Sequence, residues 1–227
     1  MFGIIRWAVL AAVAVFLASQ AFAQSIGATL LTQAVEATEA AKTDYAFDFE
    51  LDSAKAKWRA RFEPDASPQL RLVAPSRDEL ESDQRRAFDR MAEDFEGISW
   101  CASEGMGRVA DVRLLREDET TATYSFQPTR ESIRGEQARR FADRMRGEVT
   151  VTKAAPDISR LRLFVPEAFS PMLMVRVDHF NMLITCQTAP NGRRYAADVT
   201  VDVRGSALGQ DFSERTVQRA RNLSRGS

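Results

Sequence analysis

The stretch FNMLITCQTAPNGRRYAADVTVDV, Phe180 to Val203, decides the architecture. Two alternating apolar runs flank Asn191-Gly192, a dipeptide suited to a two-residue type I′ turn because both residues tolerate positive φ. Folding back at that turn pairs Thr188 with Tyr195, Cys186 with Ala197, Ile184 with Val199, Met182 with Val201 and Phe180 with Val203. The opposite face takes Gln187/Ala196, Thr185/Asp198, Leu183/Thr200, Asn181/Asp202 and His179/Arg204. One face is apolar almost throughout and the other mostly polar, as a half-buried antiparallel sheet requires. Cys186 therefore points into the core.

The same grammar extends in both directions. YAFDFELDSAKAKWRARF, Tyr45 to Phe62, folds back around Ser53-Ala54 or through a four-residue loop in the same register. That register sets Phe47, Phe49, Leu51, Trp58 and Phe62 on one face and pairs Asp48/Arg59, Glu50/Lys57 and Asp52/Lys55 on the other. Each opposite-charge pair contributes roughly 0.2–1 kcal/mol. SPQLRLVAP forms a short strand closed by Pro75. Val109 to Arg116 and Thr120 to Gln127 form a hairpin with Val112, Leu114, Ala122, Tyr124 and Phe126 on a shared face. GEVTVTK and ISRLRLFV alternate as well. The apolar face switches between Val177 and Phe180, which requires a bulge near Asp178-His179. These strands make nine or ten members of one mostly consecutive meander, while the tail from Phe212 reads as either helix or strand.

Three helices interrupt the strands. Ser25 to Lys42 carries Ile26, Leu30, Ala34 and Ala41 on one stripe. Ser76 and Glu79 form a capping box that opens a helix running to Phe95, with Leu80, Phe88, Met91 and Phe95 apolar and Gly97 as its stop. A third spans about Ser132 to Met145, with Ile133, Phe141 and Met145 inward and Gly135 weakening its first turn.

The chain opens as an export signal does. Arg6 is the positive n-region, Trp7 to Leu17 the apolar run, and Ala21-Phe22-Ala23 the cleavage site. Eleven apolar residues fall short of the ~20 that span a bilayer, although a retained anchor is the alternative. Cleavage after Ala23 would release residues 24–227 to the periplasm as a single domain. Thirty-one basic residues against 32 acidic ones give no surplus of positive charge, which argues against a nucleic-acid partner. Two cysteines in an exported chain, Cys101 and Cys186, most simply form one disulfide, closing a loop of 85 residues. With one histidine and both cysteines oxidised, no metal site and no cofactor is expected.

Catalytic chemistry finds little support. Asp178 and the single histidine, His179, point to opposite faces of a strand, so the carboxylate is poorly placed to orient the imidazole. No nucleophile elbow of the G-x-S-x-G type occurs. The notable set is apolar: Phe47, Phe49, Trp58 and Phe62 on one hairpin and Phe180 and Met182 on another. Phe88, Met91, Phe95, Phe141 and Met145 come from the helices that would cross them. Such a set either lines a cavity for an acyl chain or fills itself completely. The Pro-punctuated segment Phe169 to Met174 covers a sheet edge or offers a contact to an envelope protein partner.

WRARFEPDASPQLRLVAP, Trp58 to Pro75, resembles a strand-turn-strand of the periplasmic lipoprotein carriers LolA and LolB, with Pro68, Arg71 and Pro75 at the matching positions. The progression Trp100-Cys101, Phe126 to Pro128, Gly147 to Val151 and Phe169 to Met172 is also similar to that of exported bacterial proteins. The resemblance departs after Pro75, where a charged helix replaces further strands, and in its disulfide. It implies an acyl chain held on an aromatic-lined concave face. The expectation is therefore an α+β fold: a single curved antiparallel β-sheet, a partial barrel, with two or three helices on the concave face. Its expected role is non-catalytic binding or carriage of a lipid or lipoprotein acyl chain. The alternative is a structural or interaction protein of the cell envelope with a filled core and no ligand.

Overall fold

The computed structural model describes residues 27–133 and 136–225. The expected export signal, Ser25, Ile26 and Gly135 lie outside the described residues. Eleven strands form one antiparallel sheet: β1 (Tyr45–Ser53), β2 (Lys57–Phe62), β3 (Leu70–Ala74), β4 (Ala110–Glu117), β5 (Thr121–Gln127), β6 (Arg146–Thr152), β7 (Ile158–Phe164), β8 (Phe169–Met172), β9 (Val175–Thr188), β10 (Arg194–Ala207) and β11 (Gln210–Arg225). Their order is β3-β2-β1-β11-β10-β9-β7-β6-β5-β4, with β8 on the far end of β9. The expected partial barrel is an open sheet, because β3 and β4 remain unpaired edges. The tail is settled as strand. At 16 residues β11 is the longest, and it joins the N-terminal strands to the rest by pairing with both β1 and β10.

Two adjacent rows of residues across this sheet explain its orientation. One reads Trp58, Leu51, Gln218, Val199, Ile184, Leu161, Val149, Tyr124, Leu114, each opposite the next. The other reads Arg59, Glu50, Arg219, Asp198, Thr185, Arg160, Thr150, Thr123, Arg116. Apart from Gln218 the first row is apolar, and the second is wholly polar. Period-2 alternation thus sends one row inward and the other outward over nine strands.

The registers correct the sequence reading in detail while keeping its faces. From Asp198/Thr185 to Arg204/His179 the central hairpin pairs as expected, but a bulge at Ala197 puts Ala196 opposite Cys186. The turn is not type I′. Gly192 N–H donates to Ala189 C=O (2.9 Å) and Gly192 alone has positive φ, +83°. Pro190 explains this, since its fixed φ suits the first central position of a type I turn and excludes the mirror form there. The second bulge is present: His179 faces Arg204 and Val177 faces Gly205, leaving Asp178 unpaired. In the N-terminal hairpin the turn moves to Ala54-Lys55, so Phe47 pairs with Phe62, Phe49 with Ala60 and Leu51 with Trp58. A shift of two residues preserves each face but changes the ion pairs to Asp48–Arg61 (3.0 Å) and Asp52–Lys57 (3.4 Å).

Helix is scarcer than the sequence suggests. The described part of α1 covers 27–41 and buries Leu31, Ala34 and Thr38; of the expected stripe Ala34 is buried, while Leu30 and Ala41 are half-buried. The helix expected from Ser76 breaks in two. A 3₁₀ turn at Arg77–Glu79 ends at extended Leu80, and a second capping box, Glu81 with Gln84, starts α2 (Ser82–Glu93). The third helix shrinks to α3 (Glu136–Arg139) and a 3₁₀ turn at Ala142–Arg144. A helix of a few turns is marginal without strong propensity, and glycine lowers propensity further.

Candidate functional site

Few helices under a broad sheet leave its apolar face incompletely covered. The buried residues divide into three clusters. One packs α1 against β5, β6 and β7; a second packs α2 against β1 and β2; a third gathers Ile133, Ala142, Met145 and Val165. Between the three lies a cleft of about 1110 Å³, just above the roughly 300–1,000 Å³ typical of small-molecule sites. Its floor is the inner face of the sheet, with Leu161 and Leu163 from β7, Phe180 and Met182 from β9, Val199 from β10 and Ala220 from β11. Phe126 of β5 and Phe47 and Phe49 of β1 also reach it, so the sheet bends around one space. Residues of the segments 94–109 and 128–133, with Ala138 and Arg139 of α3, form the opposite wall.

Six of the eleven expected ligand-binding residues line this cleft: Phe47, Phe49, Phe95, Met145, Phe180 and Met182. The other five do not. Trp58 stacks edge-on against Phe88 (5.4 Å, 87°), and Phe62 packs between Phe47 and Phe95 at 5.2 and 5.5 Å. Met91 lies against this same cluster. Phe141 packs on Phe169 (5.2 Å) in the third cluster. The aromatic hairpin therefore fills itself on the α2 side and faces the cleft on the other.

Sequence reasoning missed Leu161, Leu163, Val199 and Phe126. All four were readable from strand alternation but stood out less than aromatic or methionine clusters. Ile98 comes from an irregular segment, where no periodicity marks it, whereas Ile133, expected to face inward, does line the wall.

The mouth is charged. Arg108 pairs with Glu104 (3.0 Å), and Arg139 Nε donates to Ile133 C=O (2.9 Å). Asp44, Asp94 and Glu131 also reach the rim. Hydrogen bonds from its own backbone N–H and from Thr129 hold the Glu131 carboxyl below its ordinary value. Such a rim can meet a polar head while the floor meets a chain.

One side of the mouth is pinned by sulfur. Ser99 to Cys101 takes the place of β11 beside the start of β10: Ala196 N–H donates to Ser99 C=O (2.8 Å) and Cys101 N–H to Arg194 C=O (3.0 Å). From there Cys101 is bonded to Cys186, with Cα atoms 6.4 Å apart and both residues buried.

His179 is on the outer face, in a separate groove of about 420 Å³ with Arg116, Arg160, Arg162 and Glu148. The sheet separates it from the apolar cleft. Among the described residues no three His, Cys, Asp or Glu side chains are grouped to hold a metal ion, and no helix is long and apolar enough to cross a membrane.

Comparison with family models, with curated proteins and with solved structures finds no match for this chain. In the segment Trp58 to Pro75, Pro68 and Pro75 bracket β3 and Arg71 pairs with Glu63.

Proposed function

We propose that the cleft holds the acyl chain of a lipid or lipoprotein, and that the protein is a non-catalytic binder or carrier in the periplasm. The observation that carries this reading is the open volume of about 1110 Å³ over an apolar floor that three packed clusters leave uncovered. Apolar surface left facing a cavity is a standing cost of roughly 25 cal/mol per Å², which an apolar occupant removes. Methionines at the floor adapt to chains of differing shape. The disulfide supports an oxidising compartment, consistent with an export signal cleaved after Ala23. The filled α2 side supports the alternative, an envelope scaffold without ligand, only for that part of the molecule.

The test is native mass spectrometry of gently purified protein, joined to titration with a fluorescent polyene fatty acid. Lipid adducts are expected, and Leu163→Trp with Met182→Trp should weaken probe binding about tenfold by occupying the floor, with folding retained. A well-folded protein that is always empty and gains no melting temperature with lipid would end the proposal.

A further inference from the structure

We propose that the paired turns at the far end of β9 and β10 insert into the surface of a lipid bilayer. Met172, Leu173, Met174 and Leu208 are 61, 92, 66 and 76 % exposed, four of the six large exposed hydrophobics among the described residues. They form one tip. Met172 faces Val175 across the β8–β9 turn, Ala207 faces Val175 from the other side, and Leu208 N–H donates to Met174 C=O (2.9 Å). Lone exposed apolar residues need no explanation, but a contiguous group does.

The backbone supplies a second, independent observation. Met174 has φ +63° and Leu208 φ +52°, the latter followed by Gly209 at +78°. Two-residue turns of this kind favour Asn, Asp or Gly at such positions, because Cβ crowds the backbone carbonyl there and only Gly, or a short polar side chain that hydrogen-bonds locally, escapes the cost. Here large apolar side chains occupy both, in water, where each is unfavourable for conformation and for solvation. At 66 and 76 % exposure little of either side chain is covered within the fold, whereas both gain if the tip enters an apolar phase.

A bilayer fits this tip better than a protein does. Stable protein interfaces use roughly 20–30 residues a side and anchor on Trp, Tyr or Arg in fitted pockets. Four aliphatic side chains projecting from two turns offer neither, while a bilayer demands no matching shape. Charge does not direct the contact, since Arg176 beside the tip is paired with Asp178 (2.6 Å). The tip also continues the cleft. Past the bulge at Asp178 the face of Val175 and Val177 becomes that of Phe180 and Met182, giving one apolar ribbon from floor to tip. Bilayer contact does not require an occupied cleft, so it stands apart from the carrier reading.

Flotation of the purified protein with vesicles of phosphatidylcholine, and of phosphatidylcholine with phosphatidylglycerol, tests the inference. Binding to both, undiminished by salt, is expected. The variant Leu173→Ser/Met174→Asn/Leu208→Asn should lower vesicle partitioning at least about tenfold. Its melting temperature should be unchanged or raised, because Asn tolerates positive φ, and it should take up the fatty-acid probe as the wild type does. Failure of the carrier reading would remove probe uptake while leaving flotation intact. Absence of flotation overturns the inference, as does binding only to anionic vesicles with release by salt, or an unaffected variant. Concentration-dependent self-association that the variant abolishes, without vesicle binding, would assign the tip to a second copy of this chain and overturn it equally.

Discussion

Arg193 is the cation on which two separate segments converge. Its guanidinium donates to Ala34 C=O and Thr38 Oγ1 of α1 and to Pro156 C=O before β7, each at 3.0 Å, and faces the Asp157 carboxylate at 3.4 Å. The side chains are 13 and 6 % exposed, so little water compensates if one is removed. Burial pushes the Asp157 carboxyl up, against the opposing pull of Arg193 and of the Ile158 and Arg194 backbone N–H groups. Arg193→Ala should therefore cost about 3–5 kcal/mol at neutral pH, where it strands a buried ionised carboxylate. The pH dependence has a definite sign. A carboxyl raised in the folded state penalises the fold once pH exceeds its folded pKa, and the penalty vanishes as the group protonates on acidification. Denaturant titrations of both proteins should thus show the deficit largest near neutrality and smaller towards pH about 4. A deficit independent of pH would mean that Asp157 is not the stranded partner. In the sequence, Arg193-Arg194 beside Asn-Gly looks like a solvated turn, because the partners of Arg193 lie 36 to 159 residues away.

Strands show where sequence reading succeeds and stops. Gly147 of β6 lies opposite Phe126 of β5, and a Cβ there would come within 2.0 Å of the Phe126 ring. Gly147→Ala should cost roughly 1–3 kcal/mol by displacing that ring. Because Phe126 lines the cleft, the same variant should also lower affinity for the fatty-acid probe, while urea unfolding reports the stability loss. Unchanged stability and affinity would show that the ring moves freely away. Faces were legible here since a period of two survives any even register shift, as the N-terminal hairpin shows by pairing Phe47 with Phe62 rather than Ala60. Partners were less legible, because Pro190 and Ala54-Lys55 set turns that the flanking pattern does not encode. Helices were least legible: whether Ser132 to Met145 continues through Gly135 depends on packing that its own spacing cannot reveal.

At the scale of the whole molecule, the first and last strands pair inside the sheet. Pairing β1 with β11 joins Tyr45 to Arg225, a contact that no local pattern announces. The cleft follows from this order, since β1 and β11 bring Phe49 and Ala220 beside the floor built by β7, β9 and β10. The disulfide was legible, because two cysteines leave one pairing, yet its position matters beyond loop closure. Cys101 ends the segment in which Ile98 and Trp100 wall the cleft, and Trp100 bridges to Tyr195. Replacing both cysteines, Cys101→Ala with Cys186→Ala, should therefore do two things. Stability should fall by up to roughly 4–5 kcal/mol, with a larger denaturant m-value because the unfolded chain expands. The loosened wall should also release the fatty-acid probe faster, even under conditions in which the variant remains fully folded. A loss of stability with unchanged probe dissociation would restrict the sulfur bridge to the core and leave hydrogen bonds to β10 holding the mouth.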